Sequence, residues 1–135
     1  MEMLVGVVND PLFGPLVACG GGGTTAELIG DVAVRLSPVT DREAHDMVRS
    51  LRTYPLLRGY RGATPVDVDA LEDVVLRLAT MVDEHAEIAE ADMNPVIVSA
   101  DGALWAASSP TTTKSIAKSS PPCRGSSRFA SSPVT

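Results

Sequence analysis

A break in composition near residue 107 limits what this chain can fold into. All seventeen Asp and Glu residues lie at or before Asp101, accompanied by only seven basic residues, every one an Arg. Beyond Ala107 no acid occurs, whereas Lys114, Lys118, Arg124 and Arg128 do. That closing stretch, SSPTTTKSIAKSSPPCRGSSRFASSPVT, is rich in Ser, Thr and Pro. It has few large apolar groups to offset the entropy of ordering. A folded unit is therefore expected within residues 1–107, with residues 108–135 as a disordered tail. A unit of that length can bury one modest core.

Charge and hydropathy narrow the function classes. A formal net charge of −6 argues against a nucleic-acid partner, because phosphate-backbone binding needs clustered Lys and Arg. Mean hydropathy of +0.13 and the lack of a long apolar run argue against a membrane span. No basic segment followed by an apolar one opens the chain, so no signal peptide is expected and the cytosol is the default compartment. Two cysteines, Cys19 and Cys123, suggest neither a disulfide framework nor a zinc site.

Periodicity predicts a mixed fold. Glu2–Asn9 reads as a buried strand, Asp10–Pro15 as a turn, and Leu16–Cys19 as the returning strand of a hairpin. The run Gly20–Gly23 follows, and Asp31–Leu36 alternates as a third strand. Thr40 and Glu43 form a T-x-x-E capping box opening a helix to about Arg52, with Ala44, Met47, Val48 and Leu51 as its apolar stripe. Tyr54–Gly62 reads as a turn or helical stub. Asp67 or Asp69 caps a longer helix running to about His85. Leu71, Val74, Val75, Leu78 and Val82 would be its buried side, with Glu72, Asp73, Arg77 and Asp83 opposite. A strand at Asp92–Ser99 and a stub at Ala103–Trp105 close the pattern around an Asp101–Gly102 turn. The fold class expected is α+β: a mostly antiparallel sheet with helices packed on one face.

Several residues bear chemistry. In AEADMNPVIV, Ala89–Val98, alternation sets Glu90, Asp92 and Asn94 on one strand face, a row of hard oxygen donors suited to a cation that bridges phosphates. A plain solvated strand face has the same pattern. Gly20–Gly23 could let backbone N–H groups converge on an anion, or could be a flexible loop; it lacks the Lys-Ser/Thr of a P-loop and the spacing of a dinucleotide fingerprint. Arg58 and Arg61 flank Gly59-Tyr60 and could face a phosphate or carboxylate, or simply solvent. His45 and His85 read as structural or solvated, and Cys19 as a small packed residue with nothing nearby to lower its pKa.

Four stretches in order resemble the second half of the ATP-grasp module of NDP-forming acyl-CoA synthetases, relatives of succinyl-CoA synthetase. They are EMLVGVVNDPLFGPLV at Glu2–Val17, CGGGGTTAELIGDVAVRLSPVTD at Cys19–Asp41, YPLLRGYRG at Tyr54–Gly62, and the E-x-D-x-N-P segment at Glu90–Pro95. The resemblance runs from Glu2 to about Leu104 and implies a partial ATP-grasp subdomain. It also implies ATP and Mg²⁺ as cofactors, with Asn94 as a metal ligand and Glu90 and Asp92 close to it. The loop Gly20, Gly21, Gly22, Gly23 and Glu27 would lie on the nucleotide or phosphate side. The lysine-bearing first half of the module, or a CoA-binding subunit, would be the partner, and an uncovered apolar face could drive oligomerisation. In the family the strand after the last turn commonly ends in a V-D-A-R-like segment; here Trp105–Ser109 supplies no acid. A reading frame lost near Trp105 accounts for both that gap and the foreign composition beyond it, although a disordered regulatory tail would share the composition. The resemblance thus implies a fragment of an acid–thiol ligase, inactive alone, with a nucleotide- or metal-binding module or a structural subunit as the alternatives.

Overall fold

The computed structural model describes residues 1–23 and 28–106. Strand β1, Glu2–Asp10, returns as β2, Gly14–Gly21, in an antiparallel hairpin. The turn forms because the Asp10 carboxylate accepts from the backbone N–H of Leu12 (2.7 Å) and Phe13 (3.0 Å), and Gly14 takes a φ of +80°. Strand β3, Val32–Leu36, pairs with β2; β4, Glu90–Ser99, pairs with β1; and β5, Gly102–Trp105, pairs with β4. All four pairings are antiparallel, in the order β3-β2-β1-β4-β5. The chain's first strand thus becomes the middle of the sheet, and the first residue is fixed there by a 2.8 Å bond from the Val98 N–H to the Met1 carbonyl.

Helix α1, Asp41–Arg49, starts where the capping box predicts. Thr40 Oγ1 accepts from the Glu43 N–H, and the Glu43 carboxylate accepts from the Thr40 N–H at 2.8 Å. These bonds, the backbone one first, hold the Glu43 carboxyl below its usual pKa. A short helix α2, Tyr54–Leu57, and a 3-10 turn, Tyr60–Gly62, occupy the predicted stub. Helix α3, Val68–Glu84, is capped by Asp67, which accepts from the Ala70 N–H at 3.0 Å.

The helices cover one side of the sheet. Met3, Val5 and Val7 of β1, Val17 and Cys19 of β2, and Val96 and Val98 of β4 pack against Ala44, Met47 and Val48 of α1, Leu51 after it, and Leu71, Val75, Leu78, Ala79 and Val82 of α3. One sequence expectation needs correction here. Helical spacing puts Glu72 on the solvated side of α3, yet its side chain is only 14% exposed. It turns toward α1, with Oε1 3.2 Å from His45 Nδ1 and 3.8 Å from Arg49 Nη1. Helical spacing cannot anticipate this, because position 72 borders the apolar stripe and only the neighbouring helix determines what it meets. Among the described residues, nothing packs on the other side of the sheet. The expected tail at 108–135 and the sequence change from Ala107 to Ser109 lie outside the described residues.

Candidate functional site

That uncovered side is where the oxygen donors stand. In β1, Met3, Val5 and Val7 are buried, so Glu2, Leu4, Gly6 and Val8 take the opposite face. Register then carries the same face across the sheet. Gly6 stands opposite Ala18 on one side and Asp92 on the other, and Val8 opposite Leu16 and Glu90. Leu16 and Ala18 in turn meet Leu36 and Val34. The result is a shallow hollow of about 310 Å³ with an apolar floor from Leu4, Val8, Leu16, Ala18 and Val34 and an acidic rim of Glu90 and Asp92.

Glu90, Asp92 and Asn94 are all exposed, alternating with half-buried Ala91 and Met93. The shift in register between Met3 and Val5 falls opposite Asn94 and Pro95, where β4 carries the extra residue of a bulge. Gly6 keeps the hollow open: a Cβ there would sit 3.2 Å from the Ala91 carbonyl oxygen and 3.7 Å from Asp92 Oδ1. Sequence reasoning missed this residue, although a glycine inside a strand is itself a sign of close approach.

The donor chemistry fits a hard cation, but the spacing limits how many donors share one. Alternate residues on a strand are roughly 6.6 Å apart, while Mg²⁺ binds oxygen at about 2.0–2.1 Å and usually keeps phosphate and water in its shell. One ion could take Asn94 and at most one neighbour, not the whole row. In agreement, no group of three or more His, Cys, Asp or Glu among the described residues is arranged to hold a metal.

The glycine run takes a different form from the expected loop. Gly20 and Gly21 belong to β2, and only Gly22 and Gly23 leave it. The Gly21 N–H donates to the Asp31 carbonyl (3.1 Å) and the Gly22 N–H to the Glu2 carbonyl (2.9 Å), so neither is free to receive an anion. Close backbone approach is why glycine stands here: a Cβ on Gly20 would lie 2.6 Å from the Asp31 carbonyl oxygen, and one on Gly22 2.9 Å from the Glu2 carbonyl carbon. Gly23 turns the chain away at a φ of +81°. Glu27 lies outside the described residues.

Asp31, which the alternation marks only as the start of a strand, secures the far side of this turn. It is 7% exposed, and its carboxylate accepts from the backbone N–H groups of Arg52 and Thr53, both at 2.8 Å. Burial opposes its ionisation, but these bonds, with the Arg52 charge, outweigh that and hold its pKa below the usual range. Burial first, then Asp31, pushes the Cys19 thiol up to about 12, which leaves it inert. His45 bonds to Glu72, and His85 caps the end of α3 with Glu87 beside it, so both belong to the helix layer. Arg58 and Arg61 are exposed.

Comparison with known proteins gives concordant results. An ATP-grasp domain model matches residues 1–109. The chain is 46% identical over 101 residues to acetate–CoA ligase [ADP-forming] I of Archaeoglobus fulgidus, a match covering 75% of this chain and 15% of that protein. It is 40% identical over 103 residues to acetate–CoA ligase [ADP-forming] I subunit beta of Pyrococcus furiosus, covering 76% of this chain and 44% of the subunit. The chain therefore spans less than half the length of these relatives. Among solved structures, the dinucleotide forming acetyl-coenzyme A synthetase 1 of Ca. Korarchaeum cryptofilum, in complex with coenzyme A and Mg-AMPPCP, superposes with a TM-score of 0.73 at 41% identity. That match covers 76% of this chain and 48% of the other.

Proposed function

The chain belongs to the ATP-grasp family, and from that premise we propose that it forms one wall of the Mg·nucleotide cleft of an NDP-forming acyl-CoA synthetase, inactive until a complementary segment closes over it. The observation that carries this reading is the row of exposed oxygen donors, Glu90, Asp92 and Asn94, beside an apolar hollow on the uncovered face of the sheet. Bound Mg²⁺ would neutralise phosphate charge during transfer. Asn94 would orient the ion through its amide oxygen, with Asp92 or water beside it, and Leu4, Val8, Leu16 and Val34 would exclude solvent from the floor. Gly22 and Gly23, where the chain leaves β2, would stand on the phosphate side. Neither His45 nor His85 lies on this face, so any histidine that carries a phosphoryl group would come from another segment or subunit.

The complement would be the first half of the ATP-grasp module or a CoA-binding subunit. Two features support this: relatives include a protein named as a beta subunit, and Val8, Val34 and Leu36 of the open face are about half exposed. A reaction that draws on free nucleotide and CoA fits the cytosol. The isolated chain should accordingly form no acyl-CoA above background from acetate, propionate or branched acids with CoA, ATP and Mg²⁺. Turnover of roughly 1 s⁻¹ or more, the ordinary enzyme range, would reject the one-wall reading.

The metal role has its own test. The register that pairs Val96 with Trp105 persists to the Ala106 N–H, which donates to the Pro95 carbonyl at 3.2 Å. Ala107 follows directly in the sequence and lies outside the described residues. Ala107→Asp should therefore strengthen Mg·ATP binding in calorimetric titration, since an amide oxygen alone repays little of the dehydration that Mg²⁺ resists. Adding Asn94→Ala should remove the gain. An Ala107→Asp chain that binds no better than the parent would overturn the assignment of Asn94.

A further inference from the structure

One edge of the sheet is complementary to itself. Among the described residues, β3 pairs with β2 alone. The Gly21 N–H donates to the Asp31 carbonyl (3.1 Å) and the Ser37 N–H to the Pro15 carbonyl (2.8 Å), and these two bonds fix the phase of the ladder. In an antiparallel pair, residues that exchange backbone bonds alternate with residues that do not. Residues 31, 33, 35 and 37 therefore turn their backbone groups toward β2, while Val32, Val34 and Leu36 turn theirs to the outer edge. The same three residues carry apolar side chains that are about half exposed. The strand, VAVRL, has no acid and no proline to discourage further pairing. Its one charged residue, Arg35, bonds to the outward Val34 carbonyl at 2.8 Å. The other edge strand, β5, is shorter, with four residues, and leads directly into residues outside the described ones.

We propose that β3 is a docking edge for a second copy of this chain, the two β3 strands pairing antiparallel about a two-fold axis at Val34. That register sets Val34 against Val34, Val32 against Leu36, and Ala33 against Arg35. Every residue with outward backbone groups then meets another of the same kind, and every exposed apolar side chain meets an apolar one. Centring the pair on Arg35 instead would set two guanidinium groups against each other. A slip of one residue would oppose outward backbone groups with inward ones and put the apolar side chains on opposite faces. The sequence of β3 thus selects one self-pairing. A two-fold axis normal to the sheet joins the two five-stranded sheets into one and keeps both open faces on the same side. The hollow beside Glu90 and Asp92 stays accessible. A pairing this short buries little surface, so the dimer is transient and depends on concentration.

The inference goes beyond the nucleotide reading, and its test uses no nucleotide, so the two fail separately. The full-length chain carries Cys123→Ser, which leaves the buried Cys19 as its only native thiol. Into it goes Val34→Cys or, as a control on the same face with similar exposure, Leu36→Cys. Bonded antiparallel neighbours have Cα atoms about 5.5 Å apart, within the roughly 4.4–6.8 Å that a disulfide spans. Two Leu36 residues would lie more than about 13 Å apart in this register. Mild oxidation should therefore shift Val34→Cys from monomer to disulfide-linked dimer on a non-reducing gel and leave Leu36→Cys monomeric. In sedimentation the parent chain should move toward dimer as its concentration rises. Val34→Pro, which removes an outward N–H and no bond to β2, should lose that shift with its circular dichroism unchanged. Leu36→Cys trapped as readily as Val34→Cys would overturn the proposal, since the contact would then be face to face. So would a parent that stays monomeric at every concentration, or a dimer that survives Val34→Pro. Should the proline variant unfold, the two cysteine variants decide.

Discussion

Asp31 is a buried carboxylate that holds two successive backbone N–H groups, so one side chain fixes the start of two segments. Replacing it with Ala leaves both donors unpaired beside the core, at a cost on the order of 2–3 kcal/mol. Its depressed native pKa gives that cost a sign with pH. The stabilisation is complete above the pH at which an unfolded Asp ionises, about 3.9, and is lost as pH falls through the lower native value. Urea midpoints of the parent and of Asp31→Asn should therefore differ most near neutrality and converge toward acid pH. A gap that stayed constant down to strongly acidic conditions would mean that the charge contributes nothing.

Among the elements, α1 is specified locally and α3 by its surroundings. The T-x-x-E box of Thr40 and Glu43 forms reciprocally, and Ala44, Met47, Val48 and Leu51 are buried as their spacing requires. Thr40→Ala removes the acceptor for the Glu43 N–H and should lower stability by about 1 kcal/mol in chemical denaturation, with no change in the denaturant slope. A loss far larger than that would mean Thr40 acts through contacts beyond its own helix. The strands behave differently. Alternation placed β1 and β4 correctly, yet Gly20 and Gly21, which read as loop, continue β2, because β1 and the Asp31 carbonyl offer them hydrogen-bond partners. Those partners are remote in sequence, and composition at the site cannot reveal them.

At the scale of the whole molecule, a single core joins five strands to the helix layer, and among the described residues the other side of the sheet stays uncovered. Leu71 is fully buried where α3 meets the sheet, so Leu71→Ala should cost about 2–5 kcal/mol. That is a large share of the roughly 5–15 kcal/mol that holds a domain of this size. Loss of strand and helix signals in circular dichroism should remain coincident; separate transitions would contradict a single cooperative core. Periodicity, caps and turn residues were enough to specify the elements, the antiparallel mixed class and the alternation of Glu90, Asp92 and Asn94, because each depends on contacts between near neighbours in the chain. The strand order, with β1 at the centre, was decided only by folding, as was the pairing of Gly6 with Asp92. Folding also turned Glu72 toward α1 and engaged the Gly21 and Gly22 N–H groups. Each of these depends on which distant segment comes to lie alongside, and that is settled by burying one continuous apolar surface rather than by any local preference.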